Sequence, residues 1–131
     1  MTQRKKARVF ISFDYDNDKD LKSLLIGQSK HRGSPFFIED WSLKYASRAW
    51  KSEARNRVRR ADRVIVICGY DTHKAVGVSA EVEIAREEGR PYFLLRGRNR
   101  GWVRRPRGTF FWEPIHPWTW DEVRAITTRN R

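Results

Sequence analysis

The sequence predicts an α/β fold in three layers, with a central, mostly parallel sheet of about five strands between helices. Two patterns carry this expectation. Short β-rich apolar runs recur along the 131 residues, and the stretches between them repeat apolar positions every three or four residues. Size agrees: a chain this long, 39% hydrophobic and 13% aromatic, suits a single domain over 1–131 with one core.

The first strand is read over 8–13, RVFISF, and is expected to be central in the sheet. Asp16, Asn17 or Asp18 then caps a helix carrying Leu21, Leu24, Leu25 and Gln28, broken by the Gly-Ser-Pro stretch at 33–35. Phe36-Phe37-Ile38 reads as the second strand, ending at Glu39-Asp40-Trp41. From 43 to 60 the positions Ala46, Trp50, Ala54, Val58 and Ala61 mark an amphipathic helix with a basic outer face. Residues 62–68 form a continuous apolar strand, 77–88 a helix stopped by Gly89, and 92–95 a fourth strand. Residues 109–112 are expected as a short fifth strand, and 121–128 as a closing helix capped by Thr119 or Asp121. Ligands of such a sheet bind at the carboxyl ends of its strands, here near Phe13-Asp14, Asp40-Trp41, Cys68-Gly69 and Arg96.

The formal charge of +12 draws the chain toward polyanions. The stretch 96–107 holds Arg96, Arg98, Arg100, Arg104, Arg105 and Arg107 and no acid; it is read as a solvated loop, a basic nucleic-acid binder that uses it with Trp102, Phe110, Phe111 and Trp112 is a third reading, and nucleic acid is not the expected partner. No apolar run approaches the roughly 18 residues that cross a bilayer, and MTQRKKAR precedes no signal-like apolar segment, so the expected location is cytoplasmic, without membrane association. The single cysteine, Cys68, allows no internal disulfide and no Cys-rich zinc site; it ends an apolar run and reads as a small buried hydrophobe.

Several chemistries can be weighed. Asp14-Tyr15-Asp16 at a strand tip suggests a magnesium-dependent phosphatase, but no later acidic pair completes it. An EF-hand loop from Asp14 would need Gly at Lys19 and Glu at Leu25. No phosphate-cradling glycine loop is present, and His31, His73 and His116 lack metal-ligand spacing, so no metal is expected. His73 alone lies near a strand tip, as a solvent-exposed loop residue or a substrate contact. On a helical wheel Val78, Val82 and Ala85 fall within about 40° of one another, and Glu81 lies roughly 65° from the stripe's centre. Glu83 lies about twice as far and faces solvent. Glu81 therefore sits at the core boundary, near the helix start, where a salt bridge to an arginine and a catalytic carboxylate are both open.

RVFISFDYDND, RVIVIC and THKAVGVSAEVEIAREEGRPYFLL, in that order and spacing, resemble the TIR-like domains of bacterial defence proteins, specifically the Thoeris-type family. The resemblance runs from about 8 to 96, and TWDEVRAI near the end is also similar. It implies a flavodoxin-like sheet and cleavage of the nicotinamide–ribosyl bond of NAD, by hydrolysis or cyclisation, in antiphage signalling. The alternative it leaves is a non-catalytic TIR interaction module. NAD is then substrate, with no cofactor; assembly into homo-oligomers on activation and a downstream effector reached by a nucleotide signal are the implied partners. Counting back from Gly89-Arg90-Pro91, the resemblance places the catalytic glutamate at Glu81. Ser12, Phe13, Asp14, Trp41, Tyr70 and His73 are the substrate-side candidates. Many such enzymes carry an aromatic four residues before the glutamate; this chain has Gly77 there, so Phe13, Trp41 or Tyr70 is expected to substitute.

Overall fold

A computed structural model describes residues 6–44 and 49–128. Five strands form one sheet: β1 (Ala7–Ser12), β2 (Phe36–Trp41), β3 (Arg63–Cys68), β4 (Tyr92–Arg96) and β5 (Ile115–His116). Their order is β2-β1-β3-β4-β5 and every pairing is parallel, as in flavodoxin-like folds. The middle strand is β3, not the first strand: β1 stands between β2 and β3. Its near-continuous burial, five of six residues in Arg63–Cys68, is what a strand covered on both faces requires.

The four helices are α1 (Lys19–Ser29), α2 (Trp50–Arg60), α3 (Val76–Glu87) and α4 (Trp120–Thr128). Strand alternation sorts the core into two clusters. Phe10, Val64, Val66, Cys68 and Leu94 pack with α2 and α3, while Val9, Ile11, Ile65, Ile67 and Leu95 pack with α1 and α4. Leu21 and Leu25 enter the second cluster, but Leu24 stays 58% exposed, on the edge of the stripe. No helix among the described residues is long and apolar enough to cross a membrane.

Helix ends follow local chemistry. Asp18 holds the N-cap position of α1 without a side-chain cap bond, because its carboxylate accepts from Arg98 instead. Gly89, at φ +68°, closes α3: Arg90 N–H donates to Ala85 O, the wrap-around bond that a left-handed residue permits. Thr119 Oγ1 accepts from Glu122 N–H at the start of α4. Leu43 and Lys44 are not helical, so the second helix does not reach back to 43; Ala46 lies outside the described residues.

The fifth strand is not at 109–112. Thr109 N–H and Glu113 N–H turn back to Pro106 O and Phe110 O, which leaves this aromatic run in tight turns. The chain reaches the sheet only at Ile115 and His116, opposite Leu94 and Leu95. Three successive aromatics satisfied a β-propensity pattern, but they have no alternation to give a buried and a solvated face.

Two glycines test the packing in opposite directions. A Cβ on Gly97 would lie 2.7 Å from Leu21 Cδ1 and 3.0 Å from Cys68 O, whereas one on Gly27, inside α1, meets nothing within 4 Å. Gly97→Ala should lose about 1–3 kcal/mol, and Gly27→Ala should gain about 0.5–1 kcal/mol, in urea unfolding.

Candidate active site

Strand parity builds the site. Ser12 continues the face of Phe10, so it points toward α3. The β1–β2 register slips by one between Val9 and Phe10, pairing Ile11 with Trp41. Ser42 follows directly, its N–H donating to Ile11 O (2.9 Å), and its side chain emerges on the same side as that of Ser12. Both hydroxyls donate to one atom: Ser12 Oγ lies 2.7 Å and Ser42 Oγ 2.6 Å from Glu81 Oε1. Ser42 Oγ in turn accepts from Phe13 N–H at 3.0 Å.

Glu81 is 1% exposed, deeper than a core boundary. The wheel counted only the stripe facing the sheet; α2, through Trp50, Ala54 and Val58, covers the adjoining flank of α3 and extends the buried face. No cation bridges Glu81 among the described residues, so the boundary salt bridge is not what holds it. Oε2 has no hydrogen-bond partner. Burial pushes the carboxyl up from 4.5 to about 7, against the opposing pull of the Ser42 and Ser12 hydroxyls.

A cavity of about 550 Å³ opens at the carboxyl ends of β1 and β2 and the start of α3, with Glu81 among its lining residues. Phe13, Asp14 and Ser42 stand on the strand side, Trp50, Gly77 and Val78 on the helix side. Gly77 packs beside the Trp50 indole, which is buried at 5% exposure: a Cβ there would lie 3.4 Å from Trp50 Cζ2. Lys44 and Lys74 also line the cavity, and none of the arginines of 96–107 does.

Ser12, Phe13, Asp14 and Glu81 are thus gathered at one place. Asp14 is 7% exposed and its carboxylate is engaged locally, accepting from Asp16 N–H (3.2 Å) and Asn17 Nδ2 (2.7 Å). No group of three or more His, Cys, Asp or Glu side chains among the described residues is arranged to hold a metal ion. Trp41 packs on the α1/α4 cluster, with Lys22 Nζ 5.2 Å from its ring centre, and does not line the cavity. Tyr70 borders a separate hollow of about 340 Å³ with Asn17, Asp18, Asp71 and Arg98. His73 lies in the single turn Thr72–Lys74, also away from the cavity wall.

Ser42 and Trp50 were not singled out by the sequence as site residues. Ser42 adjoins Trp41 and a register slip decides which of the two faces α3; Trp50 sits at a core position of a helical stripe and reads as packing.

The family model for the Thoeris protein ThsB, TIR-like domain, matches residues 10–100. The chain belongs to this Thoeris TIR-like family. The match runs from the second half of β1 through β4, hence takes in Ser12, Ser42, Trp50 and Glu81, and supports a TIR-type role in antiphage defence. No curated protein matches the chain.

The carboxyl of Glu81 couples stability to pH. The folded protein binds its proton more tightly than the unfolded chain, so the stabilisation is full below about pH 4.5 and is lost as pH rises to about 7. Glu81→Gln, neutral throughout, should remove this decline and exceed the parent's stability near pH 8 by up to about 3 kcal/mol, read from urea midpoints.

Proposed function

We propose that this Thoeris TIR-like domain cleaves the nicotinamide–ribosyl bond of NAD and releases an ADP-ribose product, linear or cyclised, as a signal to an effector. The observation that carries the reading is one buried carboxyl, Glu81, held by two hydroxyls at a cavity whose other wall is an indole.

The chemistry needs little else. When the C–N bond breaks, both electrons go to the ring nitrogen, and cationic nicotinamide leaves neutral without a general acid. Positive charge develops on the ribosyl carbon, as in glycoside cleavage. An ionised Glu81 beside it stabilises that charge and orients the ribose hydroxyls. Water, or a nucleophile within the substrate itself, then bonds to the carbon; with water, the proton it sheds goes to solvent or to Glu81. Ser12 and Ser42 fix Glu81 through Oε1, which leaves Oε2 as the uncommitted oxygen. Trp50 on the helix side and Phe13 on the strand side are aromatic side chains of the cavity lining that a flat cationic ring would meet. Lys44 and Lys74, rather than arginines, stand at the cavity to pair with the pyrophosphate. Assembly of like domains around the cavity belongs to the same proposal.

A second reading has one specific observation in its favour. At 1% exposure Glu81 also serves as an internal hydrogen-bond anchor, as in a module that only assembles with partners. The two readings part in an assay. Concentrated protein incubated with NAD should release nicotinamide, at a rate that rises through about pH 7 as Glu81 ionises. Glu81→Gln should lower that rate by about 100-fold or more while keeping the fold. Release by the variant equal to the parent's, or none by the assembled parent, refutes the catalytic reading.

A further inference from the structure

The arginine stretch read from sequence as a solvated loop is a seated strap. Tyr70 OH donates to Arg100 O and Arg104 N–H to Gly69 O (2.9 Å), which holds its first part at the carboxyl end of β3. Arg98 pins the same part to α1 through Asp18 (3.0 Å) and Asp20 (2.8 Å). Further on, Tyr92 OH donates to Glu113 Oε1 (2.7 Å), and Arg105 Nη1 donates to Phe110 O and Glu113 O. Its second part therefore lies beside the start of β4. The strap runs the length of a five-residue strand, about 15 Å.

Its side chains divide by task. Arg96, Arg98 and Arg105 are spent on internal bonds, and Val103 packs inward on the α2/α3 cluster. Arg100, Arg104 and Arg107 are exposed and have no acidic partner among the described residues. Between and beyond them, Trp102 is 84%, Phe111 85% and Trp112 63% exposed. Phe110 already lies flat on Trp112, ring centres 4.4 Å apart and 9° from parallel, and Arg86 stands over Phe110 at 5.1 Å. Ring on ring and guanidinium on ring are the contacts by which an unpaired base is held.

We propose that this strap binds single-stranded nucleic acid, RNA or DNA, its rings stacking on bases and Arg100, Arg104 and Arg107 meeting phosphates. A duplex hides the base faces these rings need. A second copy of this chain would bring like charge, +12, against the strap. A lipid surface also takes Trp, Phe and arginine, but on the two faces of an amphipathic helix, and the strap is not helical. The site lies apart from the Glu81 cavity, so it stands or falls independently of NAD cleavage.

The test is fluorescence anisotropy of the full chain with labelled mixed-sequence RNA and DNA strands of ~12 nucleotides, beside the matching duplex. Single strands should bind more tightly than duplex. With three phosphate contacts, affinity should fall by about 18-fold on a fourfold rise in salt. Trp102→Ala with Phe111→Ala should weaken binding by about 30-fold or more, and Trp102→Tyr with Phe111→Tyr should restore most of it. Arg104→Ala with Arg107→Ala should flatten the salt dependence. Nicotinamide release should be unchanged in the ring variants. Failure to bind either strand at low salt, equal binding of duplex, or undiminished binding by the alanine ring variant overturns the proposal. So does equal or tighter binding to phosphatidylserine vesicles or to polyglutamate.

Discussion

A single carboxyl group, withdrawn from water and gripped by two hydroxyls, ties three elements of this fold together. Ser12 ends β1, Ser42 follows β2, and Glu81 lies in α3; their bonds meet at one oxygen. Ser42 also caps Phe13 N–H where the β1 ladder ends, so backbone and site share one hydroxyl. A buried polar group left unpaired costs about 1–3 kcal/mol, so the pair of donors fixes where α3 can sit on the sheet. The arrangement is only half satisfied, since Oε2 is bare. Native interiors rarely leave such an atom without a reason, and here its residue is among those that line a cavity.

Much of the scaffold was legible because local and global signals agreed. RVIVIC has the unbroken apolar character that burial on both faces demands, and Gly89 stands where a helix must stop. The fold class and the family likeness follow from that order of strands and helices, and both hold. The failures share a cause. The centrality of the first strand, the register of Ser42 and the depth of Glu81 all depend on which element packs beside which, information that spacing along one helix or strand does not carry. The aromatic run at 110–112 misled for a related reason: its residues favour strands, but no neighbouring backbone stands opposite them.

Charge is distributed by role rather than spread evenly. On α2, Arg55 and Arg59 reach Glu87 and Glu88 at the end of α3, and Arg57 reaches Asp40; these partly exposed pairs orient helices more than they stabilise them. The arginines of the strap stay clear of the cavity, which keeps lysines instead. No cation pairs with Glu81 among the described residues, and burial raises its carboxyl to about 7 against the pull of the two hydroxyls. A cation beside it would hold it ionised but would also neutralise the charge that the proposed NAD cleavage requires opposite a ribosyl cation.

The central claim is that Glu81 is a buried, unpaired carboxyl that works only when ionised. Carbon NMR titration of the Glu81 side-chain carboxyl, set beside the pH profile of nicotinamide release, tests it most directly. The account predicts a midpoint near pH 7 in both. A carboxyl titrating near its ordinary 4.5, or a release rate indifferent to pH across the titration, would contradict it.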